Sequence, residues 1–374
     1  MNKPLLICLL GLYGLLVLGL WIKIFDHRRH LTSQPQPVNV EILPTDLTTP
    51  NVPKIYSSSE QLGQLFLTSP VGLSLTDQER QWLRQSRVSG YLLLSKNIDS
   101  PEQLKMLTDS IYQEATFSGL LPLVAIDQEG GAVARVPWVE STGQNEITTL
   151  KQAYKIALIR GKQLRQLGIN LNFAPVVETS QTENNFILRQ RRGFKNNAET
   201  LALAMLDGYQ AAGIQAVVKH FPGSLGRTEI DPHLKLPQIK VSEAELIKDL
   251  TPFYYLIQHG VKGVMISHLS YPLYDSKITS ASKFWTQDIL RTRLGFQGLI
   301  ITDDLMMKAV DTTSWLDFTK ASLINGNNII IISDGVVYQS VWEELVGQID
   351  QSELNQAIEQ AFLKVTHFKD HYIK

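Results

Sequence analysis

Residues 299–304 read Leu-Ile-Ile-Thr-Asp-Asp. An unbroken apolar run this short, with two branched residues and a threonine, suits a strand buried on both faces. It ends in two adjacent carboxylates, and charged side chains are seldom buried without a partner. The same arrangement recurs along the chain. Short apolar runs lie at 64–67, 90–94, 121–126, 170–174, 216–221, 263–267, 299–302 and 328–332. Between them, amphipathic patterns predict helices, for example over 100–114, 147–167, 198–212, 242–259 and 285–294. Ser242 with Glu245 has the spacing of a capping box. Strand then helix, repeated eight times over about 310 residues, predicts an α/β protein of the (β/α)8, TIM-type barrel class. A doubly wound open sheet is the alternative, weakened because no Gly-x-Gly-x-x-Gly follows a strand.

In such a barrel the chemistry sits just beyond the strands. Asp127, Gln128 and Glu129 follow the third run. Lys219 and His220 end the fifth, Ser267 and His268 the sixth, and Asp303 and Asp304 the seventh. One such residue alone fits a structural ion pair. Acid, amine and imidazole converging on one rim fit catalysis better than packing.

Composition narrows the classes. Of 374 residues, 35 are Lys or Arg and 36 are Asp or Glu, a formal net charge of -1. That balance argues against a general nucleic-acid binder. The single cysteine, Cys8, excludes an intramolecular disulfide and a zinc site of paired thiolates. No His-x-His or His-Glu-x-x-His spacing is present, so no metal or other cofactor is expected.

The N-terminus is a separate physical object. Residues 4–22, PLLICLLGLYGLLVLGLWI, carry no charge. As a helix, roughly 19 residues span about 28 Å, close to the hydrocarbon thickness of a bilayer. No small-residue cleavage site follows, so an uncleaved transmembrane helix is expected. Residues 1–30 are then a membrane anchor with a basic flank, 31–58 a Pro/Thr-rich linker and 59–374 the catalytic barrel. The long spacer favours an extracytoplasmic barrel, although Lys23, Arg28 and Arg29 favour the cytoplasmic side.

Five segments occur in order, each at an expected strand end: IDQEGGAVARV (126–136), NFAPVVE (172–178), KHFPG (219–223) followed by DPH (231–233), GVMISHLSYP (263–272) and GFQGLIITDDLMMKAV (295–310). Together they resemble glycoside hydrolase family 3, in its single-domain β-N-acetylglucosaminidase branch, over about residues 60–335. The resemblance implies a retaining hydrolase that releases terminal β-linked N-acetylglucosamine, from cell-wall muropeptides, through a covalent glycosyl-enzyme. By that resemblance Asp303 is the nucleophile, His233 the general acid/base and Asp231 its paired carboxylate. Asp127, Arg135, Arg192, Lys219 and His220 are implied as sugar-binding residues. The partners expected are a carbohydrate substrate and, through residues 4–22, a membrane.

The chemistry of these residue types agrees. An imidazole with an intrinsic pKa near about 6.5 can give and then take a proton near neutrality. A carboxylate at Asp231 would orient it and stabilise its charged form. Lys219 would favour an ionised Asp303. Departures from the family pattern are Ser224-Leu225 where a histidine is usual, Glu178 for a frequent aspartate, and Pro232 within the Asp-x-His triplet. Alternatives are a family 3 β-glycosidase of another sugar specificity, or a non-catalytic, membrane-tethered sugar-binding protein.

Overall fold

The computed structural model describes residues 56–85, 87–178, 185–310 and 314–373. The expected anchor and most of the expected linker lie outside them. Among the described residues no helix is long and apolar enough to cross a membrane.

The eight apolar runs all become parallel strands: β1 (Phe66–Thr68), β2 (Gly90–Leu93), β3 (Leu123–Ile126), β4 (Leu171–Asn172), β5 in two pieces (Gln215–Ala216 and Val218–Phe221), β6 (Gly263–Ile266), β7 (Leu299–Asp304) and β8 (Ile329–Ile331). Each pairs with the next, and β8 pairs with β1. The fifth run, read as one strand, breaks at Val217 because it serves two neighbours in turn. Its first piece pairs with β4 and its second with β6. Val217 N bridges the break by donating to Asn172 O at 3.0 Å, and Lys219 forms a further parallel bridge to Val176. Both edges of the sheet thus belong to one segment, so the sheet closes into a barrel and the open-sheet alternative fails.

Helices follow the strands and cover them. Ser100 caps Pro101–Ala115, accepting from Gln103 N, and Ser242 and Glu245 form the expected capping box at Glu243–Gln258. The pattern at 285–294 becomes a π-helix, Phe284–Arg293. Trp285, Thr286, Ile289 and Leu290 are its buried side.

The last helix, Ser352–Tyr372, packs beneath the barrel, at the strands' N-terminal ends. Its buried Lys369 donates to Gln64 Oε1 at 2.7 Å and to Ser89 O at 2.9 Å, just before β1 and β2. Tyr56 packs on Phe362 of this helix, with ring centroids 5.3 Å apart. The chain therefore enters on the face opposite the strand ends that carry Asp127, Lys219 and Asp303.

Candidate active site

The strand ends open into a cleft of about 390 Å³. Asp127, Arg135, His233 and Asp303 line it, with Lys96, Leu92, Phe173 and Met265 among its other walls. Residues from β2 to β8 thus meet in one space.

The two aspartates ending β7 part company. Asp303 accepts from Asp304 N at 2.8 Å and faces the cleft. Asp304 also borders the cleft, but its carboxylate is taken up: Oδ1 accepts from Ser333 N, just past β8, and from Met306 N, each at 3.1 Å, and Oδ2 from Ser333 Oγ. Burial raises its pKa. His268, at the end of β6, is held neutral by burial, against the pull of Asp303. Its Nε2 donates to the Asp304 carbonyl at 3.2 Å, and its Nδ1 lies 2.7 Å from Ser280 Oγ. His268 thus fixes the backbone that presents the carboxylate.

Opposite stands the Asp231–His233 pair. Asp231 Oδ1 accepts from both Nδ1 and the backbone N of His233, each at 2.8 Å. The proline between them leaves one compact turn that aims two side chains together. With Nδ1 engaged, Nε2 is left for the cleft. The imidazole is 59% exposed, so its proton exchanges with solvent. Ala309 N donates to Pro232 O at 3.0 Å, tying this loop to the loop that follows β7.

A chain of charged groups forms the floor. Lys219 Nζ lies 2.5 Å from Asp127 Oδ1 and 2.7 Å from Glu129 Oε1. Arg192 grips Glu129 through both oxygens, at 2.7 and 3.0 Å, a bidentate geometry only arginine provides. Arg192 Nη2 also reaches His220 Nε2 at 3.2 Å, and His220 Nδ1 lies 2.7 Å from Glu178 Oε1. Burial pushes the Asp127 and Glu129 carboxyls up, but the cations outweigh it and hold both below their ordinary values. Burial, with Lys219 and Arg192, drives His220 well below its ordinary pKa, so the ring is neutral. Burial lifts Glu178 to about 8, against Arg192 and the backbone amides of His220, Leu225 and Gly226, all of which favour its ionised form.

The structure therefore sorts the candidates. Asp303, His233, Asp127 and Arg135 meet in the cleft, and Asp231 backs His233. Lys219, His220 and Arg192 lie buried below the cleft walls. The Lys219 charge is taken up by Asp127 and Glu129 rather than lying against Asp303. Sequence reasoning missed Glu129, the centre of the floor. A strand period of two from Asp127 was the available signal, since positions i and i+2 share a face. The Gly130-Gly131 pair explains the rest of that motif. A Cβ on Gly130, at φ +93°, would lie 2.1 Å from Thr142 O. The hairpin formed by Gln128–Gly130 and Val133–Ala134 then leads Arg135 back to the cleft. Lys96 was also missed, as it stands on the single 3-10 turn Ser95–Asn97 with no motif around it.

Comparison with known proteins accords with this geometry. The family model for the glycosyl hydrolase family 3 N-terminal domain matches residues 57–368. A beta-hexosaminidase of Nitrosomonas eutropha is 36% identical over 262 residues, covering 66% of this chain and 74% of that protein. A beta-hexosaminidase of Thioalkalivibrio sulfidiphilus is 33% identical, covering 70% and 78%. Among solved structures, NagZ from Neisseria gonorrhoeae in complex with N-trifluoroacetyl-D-glucosamine superposes with a TM-score of 0.67 at 25% identity, covering 80% of this chain and 98% of that one. A family 3 β-N-acetylglucosaminidase from Paenibacillus sp. superposes with a TM-score of 0.77 at 27% identity, covering 84% and 63%. With a closed barrel, a carboxylate facing an Asp–His pair and a family model matched over most of its length, the chain belongs to glycosyl hydrolase family 3 and is a glycoside hydrolase.

Proposed function

We propose that this hydrolase is a retaining β-N-acetylhexosaminidase that removes terminal β-linked N-acetylglucosamine. The observation that carries the reading is Asp303 sharing one cleft with the His233–Asp231 pair. The beta-hexosaminidase relatives and the N-acylglucosamine analogue bound by the gonococcal protein supply the sugar class.

In this reading Asp303 attacks the anomeric carbon and forms a glycosyl ester while the bond to the leaving oxygen breaks. His233 gives its Nε2 proton to that oxygen. Water then enters, His233 takes its proton, and the ester is hydrolysed with Asp303 released. Asp231 holds the ring and balances the charge it carries before it gives up the proton and after it takes one back, without itself accepting the proton. Asp127 and Arg135 orient sugar hydroxyls in the cleft. Lys219, Arg192 and His220 act as the supporting floor, and they come into sugar contact where the substrate reaches past Asp127.

We extend the proposal to context. The substrate is a cell-wall fragment in which N-acetylglucosamine is linked to a muramoyl residue. Residues 4–22 anchor the enzyme in a membrane, with the barrel on the extracytoplasmic side. Chain entry on the face opposite the cleft is compatible with a tether, since it points the cleft away from it, and the long Pro/Thr-rich spacer favours the extracytoplasmic side. The sugar class is tested with paired aryl β-glycosides. Release from the N-acetylglucosaminide at least about 100-fold faster than from the glucoside is expected, and the reverse preference would select another β-glycosidase specificity.

A further inference from the structure

Glu178 takes no part in the steps above, yet it occupies a junction. It is 1% exposed, at the end of the NFAPVVE segment. Its Oε1 accepts from His220 N at 3.3 Å and lies 2.7 Å from His220 Nδ1. Its Oε2 accepts from Gly226 N at 3.1 Å, on the stretch that leads from the Lys219–His220 strand to Asp231 and His233. Every group that reaches its two oxygens is therefore a donor. The far side of His220 completes the constraint. Arg192 Nη2 can only donate, so His220 Nε2 must accept, and the single proton of the neutral ring must stand on Nδ1. That proton is the one Glu178 receives.

Two departures from the family pattern fall at this junction. Ser224, where a histidine is usual, hands its hydroxyl to Asp249, which Arg227 also grips at 2.7 Å. Ser224 makes no hydrogen bond to Glu178 among the described residues, and the glutamate, longer than the frequent aspartate, reaches both His220 and the Gly226 amide.

We propose that Glu178 is a positioning residue: it receives the Nδ1–H that Arg192 imposes on His220, so orienting the ring, and ties the acid/base loop to the charged floor of the sugar site. This rests on the hydrolase reading above. It acts through His220, Arg192 and Glu129 on Lys219 and Asp127, and through Gly226 on His233.

The isosteric variant Glu178→Gln separates this from bulk packing. Its amide has one acceptor and one donor, whereas both sides of Glu178 offer donors only. It must lose either the His220 contact or the Gly226 contact. Expected are a fall in kcat/KM of about 10- to 100-fold on an aryl β-N-acetylglucosaminide, steeper for a poorer leaving group, and a shift of the His220 Nδ1–H or the Gly226 amide signal in the 15N spectrum, according to which contact is lost. Glu178→Asp keeps the carboxyl group but shortens the reach. It should retain the His220 pattern, recover part of kcat/KM and keep the leaving-group dependence, and it serves if the glutamine variant does not fold. The proposal is overturned if the glutamine variant keeps kcat/KM within twofold. It is equally overturned if both signals stay at their wild-type positions while activity falls evenly for all leaving groups. A wild-type enzyme inactive on these glycosides would overturn the functional reading instead, and the His220 spectrum would still decide the tautomer.

Discussion

Asp303 and Asp304 are chemically identical neighbours with opposite assignments. Both border the cleft, but Ser333 and Met306 occupy the Asp304 carboxylate, which leaves that of Asp303 for a substrate. Asp303→Asn keeps the shape and removes the attacking charge. Turnover should fall by roughly 10³-fold or more while sugar binding persists, checked by steady-state rates and by titration with a GlcNAc analogue. Asp304→Asn should act differently, because an amide placed against Ser333 N loses an acceptor in the link from β7 to β8. A lower melting temperature with much of the turnover retained is expected from thermal unfolding run beside the assay. His233→Ala should be severe for a disaccharide, whose leaving alkoxide needs a proton, and milder for glycosylation by an activated aryl glycoside. Asp231→Ala should show a weaker version of the same trend, since it orients the ring without transferring the proton. Rates across a series of aryl leaving groups check both, and a flat response would remove the dyad from the mechanism.

At the scale of elements, the terminal helix Ser352–Tyr372 carries an uncommon burden. Its Lys369 is buried beneath the barrel, and burial lowers its pKa to about 7. The sign of the linkage follows. Below pH 7 both folded and unfolded chains hold the proton, and the cost of burying the charge is fully present. Between about 7 and the ordinary 10.5, only the unfolded chain holds it, so stability rises with pH. The rise amounts to a few kcal/mol, since each pH step of one between those two values adds about 1.4 kcal/mol. Lys369→Met should remove this alkaline gain, although it leaves Gln64 Oε1 and Ser89 O without their donor. Denaturant unfolding of both proteins at pH 6 and pH 9.5 checks it, with the difference between them expected to move toward the wild type at the higher pH. The elements above this helix were legible as runs and stripes. The division of β5 was not, because an apolar run looks the same whether it pairs with one neighbour or changes partner midway. The π-helix was not legible either, since its side-chain pattern lies close to an α-helical one.

At the scale of the whole molecule, the cleft and the point of chain entry lie on opposite faces. A protein lacking residues 1–55 should therefore hydrolyse a soluble aryl N-acetylglucosaminide at the wild-type rate, while the full chain partitions with membranes and the truncated one does not. Fractionation with activity measured in each fraction checks this. Loss of turnover on truncation would mean that the N-terminal segment contributes to the site.

The order of eight apolar runs and the Asp, Lys, His and Asp at their ends was legible along the chain. Strand identity depends on local side-chain pattern, and the barrel face on which chemistry gathers follows from strand direction. The tertiary structure alone decided which charges face the cleft and which lie beneath it. Asp127, Lys219 and Arg192 read as one kind of residue in the sequence. Pairing separates them: Lys219 and Arg192 are neutralised by Asp127 and Glu129, whereas the Arg135 Nε finds no hydrogen-bond partner among the described residues. Such pairing depends on side chains up to 92 positions apart. It is set by the barrel's closure, which brings β3, β4 and β5 together, and no local pattern in the chain encodes that distance.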